Sequence, residues 1–330
     1  MRERVALIDQ SSFSKFEVAG PGAFDFMQWL TAADLHKPAG SVTYTQLCNE
    51  RGGIEADLTI ARLDDERFYV VTGSGFGVHD KWWITHNLPK SGAVTVNDVT
   101  SARAVINVCG PRARDLLGAV CDDDLSANAF PFMTYHDIHI GYAPVLALRV
   151  TYVGELGWEL HIPTEYAAHV FELLWQAGQD LGVANAGYRA LESLRLEKGY
   201  RYWGGDITPD YNPYEAGLGF CVKLDGDDFL GREALAAAKA LGPGRKLCCF
   251  TLEREASVHG GEAILLDGRV LGVTTSGGFG YTVGRSIVYG YVASEDAGHH
   301  DYEIEVFGEA IPATRQARSL YDPKRERILA

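Results

Sequence analysis

One local pattern occurs twice in this chain, ninety positions apart (Gly20 to Gly110), and it limits the folds open to it. Lys15 to Ala19 reads as a strand, Gly20-Pro21-Gly22 as a turn, and Ala23 to Leu30 as a helix start with Phe26, Met27 and Leu30 on one face. Ala104 to Cys109 then leads into Gly110-Pro111-Arg112-Ala113 and the helical Arg114-Asp115-Leu116-Leu117. Gly20 thus matches Gly110, Pro21 matches Pro111, Ala23 matches Ala113 and Asp25 matches Asp115. Proline suits the first helical position and the glycine before it permits the sharp turn, so local physics alone is able to produce the match. We read it as two related β-α modules packed as one domain.

Between the copies lie alternating stretches, Val42 to Leu47, Ile54 to Leu63 and Arg67 to Thr72, with an Arg51-Gly52-Gly53 turn, which predict a meander. After the second copy, Pro144 to Val153 and Trp158 to Ile162 flank a turn at Gly154 to Gly157, and a helix starts at Thr164. Gly242-Pro243-Gly244 punctuates the chain, and everything beyond Lys246 reads as short strands between glycine-rich turns. The expected architecture is α+β. A domain at 1–240, built of modules at about 1–102 and 103–240 with antiparallel sheets, precedes a small all-β, barrel-like domain at 245–330. The glycines at 73–77 and 277–280 lack the further residues of a dinucleotide or phosphate loop and read as turns.

The 330 residues carry a formal net charge of −14, with one dense basic stretch, Lys324, Arg325 and Arg327, near the end. Non-specific binding to nucleic acid or to an acidic membrane is therefore not expected. No apolar run approaches the roughly 18 to 20 residues that span a bilayer, and no apolar signal segment follows Met1-Arg2-Glu3-Arg4, so a cytoplasmic protein is expected. The six cysteines form no C-x-x-C pair and read as buried small hydrophobes, with Cys48 of interest for its position. His136 and His139 would face opposite sides of a strand, and no metal site is expected.

Three stretches combine polar residues with glycines that let backbone approach a ligand. In Asn49 to Leu58 the apolar Ile54, Ala56 and Leu58 alternate with Glu55 and Asp57, so Asp57 shares a face with Glu55 and Thr59; composition alone reads it as an exposed strand carboxylate. In Tyr152 to Leu160 an acid, Glu155, sits in a glycine-flanked turn, where a carboxylate can accept two parallel N–H bonds from a heterocycle or simply lie at the surface. In Leu194 to Tyr200, followed by Trp203-Gly204-Gly205-Asp206, Arg195 and Lys198 lie one helical turn apart, which reads as a solvated helix end.

These stretches resemble the folate-dependent aminomethyltransferase (T-protein) family of the glycine cleavage system, and most of all the tetrahydrofolate-binding region of dimethylglycine oxidase, dimethylglycine dehydrogenase and sarcosine dehydrogenase. The matching motifs are Tyr44-Thr45, Gly52-Gly53-Ile54-x-x-Asp57-Leu58, Tyr152 to Leu160, Ser193 to Arg201, Trp203-Gly204, Glu215 to Phe220 and Phe229 to Glu233. They continue through Thr275 to Gly277, Gly280 to Val283 and Leu320 to Pro323, so the resemblance covers essentially the whole chain. The chain opens almost at the family's first strand, Phe16-Glu17-Val18, without the segment that precedes it in stand-alone T-proteins or the flavin domain of the demethylating oxidoreductases. A separate subunit beside a flavin-dependent oxidoreductase, or an excised domain, is the expectation that follows.

The resemblance implies a T-protein-like fold and a tetrahydrofolate-dependent one-carbon transferase. It would accept a methylene unit from a small N-methylated amine such as dimethylglycine or sarcosine and give methylenetetrahydrofolate. It implies Asp57 as the catalytic carboxylate, Glu155 as the pterin anchor, and Tyr44, Tyr152, Arg195 and Trp203 as further cofactor-binding residues. A tetrahydrofolate-dependent methyltransferase or demethylase is the nearest alternative, distinguished by its product. A non-catalytic folate-binding accessory protein is another, against which stands the absence of that group's Lys-Gly-Cys-Tyr signature where this chain has Asp227 to Gly231. A substrate-free interaction domain of a larger oxidoreductase is the plainest.

Overall fold

The computed structural model describes all 330 residues. They form two compact units: Met1–Leu47 with Ala56–Tyr188 and Arg325–Ala330, and Cys48–Glu55 with Arg189–Lys324.

The first unit holds two sheets. In one, the strands run in the order Val42–Cys48, Ile54–Arg62, Arg67–Thr72, Ser14–Ala19, Thr95–Asp98. In the other the order is Ala184–Ala186, Ala6–Asp9, Arg103–Cys109, Gly157–Pro163, Ala143–Leu148, Tyr135–Ile140. Pairing in the second sheet is antiparallel except between Ala6–Asp9 and Ala184–Ala186. The duplicated turn is a tertiary repeat as well as a local one. Gly20 and Gly110 have φ of 125° and 127°, a region closed to most side chains. A Cβ on Gly20 would lie 2.1 Å from the carbonyl oxygen of Ala93, and one on Gly110 would lie 2.3 Å from that of Arg4. Ala93 leads into Thr95–Asp98, which pairs with Ser14–Ala19, and Arg4 leads into Ala6–Asp9, which pairs with Arg103–Cys109. Each glycine therefore admits the backbone of a strand contributed from just ahead of the other module. Gly110→Ala combines forbidden φ with a backbone clash, and we expect it to destabilise the protein by more than about 1 kcal/mol in urea titrations; a wild-type midpoint would show that the turn relaxes without cost.

Inside the second sheet lies a core of aliphatic residues around Trp158, with Phe130, Leu116, Leu117 and Val170. A second cluster joins Val42, Ala61, Tyr69 and Val71 of the first sheet to Leu146, Leu148 and Val150 of the second. Alternation is plain in the strand Ile54–Arg62, where Ile54, Ala56, Leu58 and Ile60 are buried and the residues between them are partly exposed.

In the second unit a closed barrel runs Arg245–Leu252, Arg285–Ala293, Arg269–Gly280, Ala263–Leu266, Asp301–Val306, Glu309–Gln316, around Phe250, Ile264, Val288 and Ile304. The barrel agrees with the sequence reading, and the compact unit that contains it takes in Arg189–Lys324. The cause is the helix Tyr188–Lys198, whose Leu196 packs on Ile287 and Tyr289 of the barrel and whose Leu196 carbonyl accepts the Tyr289 hydroxyl at 3.0 Å. Gly277, Gly278 and Gly280 correct the turn assigned to them. They lie within a barrel strand, and a Cβ on Gly277 or Gly280 would meet Val258 at 2.7 Å or Ile287 at 2.6 Å.

Candidate active site

Asp57 stands on the strand Ile54–Arg62, next to the strand Val42–Cys48. Its Oδ1 accepts a hydrogen bond of 2.8 Å from Nε2 of Gln46. Because side chains alternate along a strand, that bond places Tyr44 and Gln46 on the sheet face that carries Glu55, Asp57 and Thr59. Asp57 is half-buried and so is Tyr44. The plain expectation of an exposed carboxylate is thereby corrected: a fully buried amide holds it.

The turn joining these strands is built by its own side chains. Asn49 Oδ1 accepts from the backbone of Arg51 at 2.9 Å and of Gly53 at 3.0 Å, and its Nδ2 donates to Glu55 Oε1 at 2.7 Å. Gly52 adopts φ of 80°, and a Cβ on Gly53 would lie 2.2 Å from the carbonyl oxygen of Pro209. The glycine pair serves a tight turn and the protein's own backbone packing. Cys48, beside it, is buried, and burial pushes its thiol up to about 12. Burial thus favours the thiol over the reactive thiolate.

Tyr152 and Glu155 lie in the turn between Ala143–Leu148 and Gly157–Pro163. Gly154 takes φ of 78°, and a Cβ on Gly157 would press on Cys109 and the Val108 carbonyl, each at 3.0 Å. With 1 % exposure Glu155 is no surface turn carboxylate. Arg2 Nη1 reaches its Oε1 at 3.3 Å and the Val153 carbonyl at 2.5 Å. The turn and the Asp57 strand pair rise from one core: Val42, two residues before Tyr44, and Val150, two before Tyr152, belong to the same cluster. The strands that carry Tyr44 and Asp57 and the segment that leads to Tyr152 are thus rooted in one apolar cluster, through Val42, Ala61 and Val150.

Arg195 and Trp203 belong to the second unit. The solvated helix end expected there is buried: Arg195 and Glu197 have no exposure and Lys198 has 6 %. Arg195 donates from Nη1 to Asp206 Oδ2 at 2.6 Å and from Nε to Glu192 at 2.9 Å. Glu197 accepts from the Thr282 backbone at 2.6 Å, and Lys198 donates to Asp322 Oδ2 at 2.9 Å. Asp206 also takes the Tyr202 backbone N–H at 2.9 Å, which shapes the loop on which half-buried Trp203 bridges to Ile207. Arg195 thus acts on that loop through Asp206. Sequence reasoning passed over Gln46, although period two from Tyr44 marks its face, and over Arg2 and Asp206, for which pairing across the fold is the only signal.

Family models describe both parts of the chain: the GCVT N-terminal domain matches residues 1–226, and the glycine cleavage T-protein C-terminal barrel domain matches residues 245–322. Mitochondrial sarcosine dehydrogenase of Homo sapiens is 37 % identical over 99 % of this chain and 38 % of its own length. The formaldehyde-forming 4-methylaminobutanoate oxidase of Paenarthrobacter nicotinovorans is 39 % identical over 99 % of this chain and 40 % of its own length. The chain therefore spans about two fifths of the curated relatives it matches first. An aminomethyltransferase of Symbiobacterium thermophilum is 33 % identical over 95 % of this chain and 85 % of its own length. Among solved structures, the glycine cleavage system aminomethyltransferase T of Bartonella henselae superposes with a TM-score of 0.87 at 28 % identity, covering 98 % of this chain and 88 % of that one.

Proposed function

As this chain belongs to the glycine cleavage T-protein family, we propose that it is a tetrahydrofolate-dependent one-carbon transferase. It takes a methylene unit from a small N-methylated amine and works beside a flavin-dependent oxidoreductase. The observation that carries the reading is the pair of placed carboxylates, Asp57 held by Gln46 and Glu155 buried in a glycine turn. The formaldehyde-forming relative and the sarcosine dehydrogenase support a donor whose one-carbon unit stands at the formaldehyde level. The likeness to an aminomethyltransferase along most of its length supports transfer over mere folate binding.

The residues suit the folate. Glu155 already accepts one guanidinium N–H from Arg2, and the 2-amino pyrimidinone edge of a pterin offers two N–H donors side by side. Tyr44 and Tyr152, each half-buried, supply aromatic surface for its rings. Tetrahydrofolate, when bound, supplies the nucleophilic nitrogen that takes up the one-carbon unit. The protein holds the two reactants together and manages a proton: Asp57, as a carboxylate, stabilises positive charge and accepts the proton released. Arg195, by way of Asp206, holds the loop that presents Trp203.

Hydrogen bonds to a charged group contribute about 1.5 to 3 kcal/mol net, so Glu155→Ala is expected to weaken tetrahydrofolate binding roughly ten- to a hundredfold in calorimetric titrations. Glu155→Gln should be nearly as damaging, because an amide offers one acceptor oxygen to two donors. Arg2→Ala is the control. If Glu155 serves only to hold Arg2, that variant will lose the same affinity; if Glu155 receives the pterin, it will not. Mass spectrometry of the product then separates methylenetetrahydrofolate from the methyltetrahydrofolate that methyl transfer would give.

A further inference from the structure

We infer that Gln46 is a positioning residue for Asp57, holding its carboxylate in the plane and charge state that proton transfer requires; this rests on the reading of Asp57 given above. The Gln46 side chain has no exposure, and its backbone is pinned from the far edge of the strand, where its carbonyl accepts from the Ala32 N–H at 3.1 Å and from the Thr45 hydroxyl at 3.3 Å. The segment Thr31 to Ala33, which follows the helix Ala23–Leu30, thus closes the edge of the strand and fixes the backbone from which the buried Gln46 side chain departs. From that place Nε2 donates to Asp57 Oδ1 at 2.8 Å, within the ordinary range of a good hydrogen bond.

The amide works in one sense only. Its Nε2 face donates, and a donor stabilises the ionised carboxylate over the acid. Its Oε1 is buried and no protein group donates to it, so only the Nε2 side of the amide is engaged by the protein. A flipped amide would set Oε1 against the carboxylate oxygen, acceptor to acceptor, which burial makes costly. The strand pair therefore carries a donor of fixed orientation against the group that is to accept a proton. A hydrophobic residue of similar volume would fill the same space without that bias.

Two substitutions at Gln46 test this. Gln46→Leu removes the donor and keeps the bulk, and Gln46→Glu keeps the shape and sets a second carboxyl against Asp57. Losing a donor and gaining a like charge both disfavour the ionised form, so Asp57 is expected to take its proton at higher pH in each variant. For methylenetetrahydrofolate formation from formaldehyde and tetrahydrofolate, measured above the uncatalysed rate, the acid limb of the pH profile should move upward. In Gln46→Leu turnover should fall roughly tenfold with the folate dissociation constant within about twofold of wild type. A direct reading comes from carbon-13 resonances of aspartate carboxyls, with Asp57 assigned by its absence in Asp57→Asn. An unchanged Asp57 titration in both Gln46 variants overturns the inference, whatever their rates. Full turnover in Asp57→Asn overturns instead the role given to Asp57, and the carboxyl titration still decides whether Gln46 sets its state. Should Gln46→Leu fail to fold, the closer mimic Gln46→Glu carries the same test.

Discussion

Replacing Asp57 by asparagine is expected to lower turnover at least tenfold, and up to about ten-thousandfold, while the fold and most of the tetrahydrofolate affinity survive. A positioned general base typically contributes about a hundred- to ten-thousandfold, and an amide neither accepts the proton nor stabilises positive charge as a carboxylate does. The structure explains why the damage should be confined to the chemistry. The side-chain oxygen of an asparagine is able to accept the hydrogen bond that Gln46 Nε2 gives to Asp57 Oδ1, so the strand pair keeps its arrangement. The loss should therefore fall on kcat, with the dissociation constant and the thermal melt close to wild type. Unchanged rates at saturating tetrahydrofolate would make Asp57 a structural carboxylate and move the proton acceptor elsewhere.

The second large effect is one of stability. Asp206 has no exposure and is the acceptor of a converging set: Arg195 Nη1 at 2.6 Å, the Tyr202 N–H at 2.9 Å, Thr275 Oγ1 at 2.5 Å and Ser276 Oγ at 2.7 Å. Removing one partner of a buried ion pair costs about 3 to 5 kcal/mol, because the other charge stays buried. Here two hydroxyls and an amide lose their acceptor as well, although Glu192 still faces Arg195. Asp206→Ala should accordingly lower the unfolding free energy by about 3 to 5 kcal/mol in urea titrations. Asp206→Asn keeps the shape and one acceptor oxygen and should lose less. Arg195→Ala orphans the same carboxylate, so the double variant should be far from additive. Additive losses would mean that the two residues act separately, and with them would go the account of Arg195 as the residue that holds the Trp203 loop.

Much of the scaffold was legible in consecutive residues. Period-two alternation from Ile54 placed Asp57 beside Glu55 and Thr59, as observed. The repeated glycine-proline turn announced two alike modules, and the glycine-punctuated strands after Lys246 announced the barrel. Those signals are local, since the pleat, the permitted φ and the apolar face are properties of a few adjacent residues. The charges were misjudged for the complementary reason. A carboxylate or guanidinium reads as solvated until its partner is known, because burying a charge alone is prohibitive. Most partners lie far off along the chain: Asp322 for Lys198, Thr282 for Glu197, and Arg2 for Glu155, 153 positions away; Asp206 is nearer to Arg195 but lies beyond the end of its helix. The pairing of Ala6–Asp9 with Arg103–Cys109 of the other module is equally invisible to local pattern, as is the inclusion of Gly277 to Gly280 in a barrel strand. The residues by themselves determined most of the strands, turns and helices and the apolar face of strands such as Ile54–Arg62. Tertiary structure alone decided which strands became neighbours, and so which charges were neutralised, buried and aimed, because that choice is made by packing among segments that the sequence keeps apart.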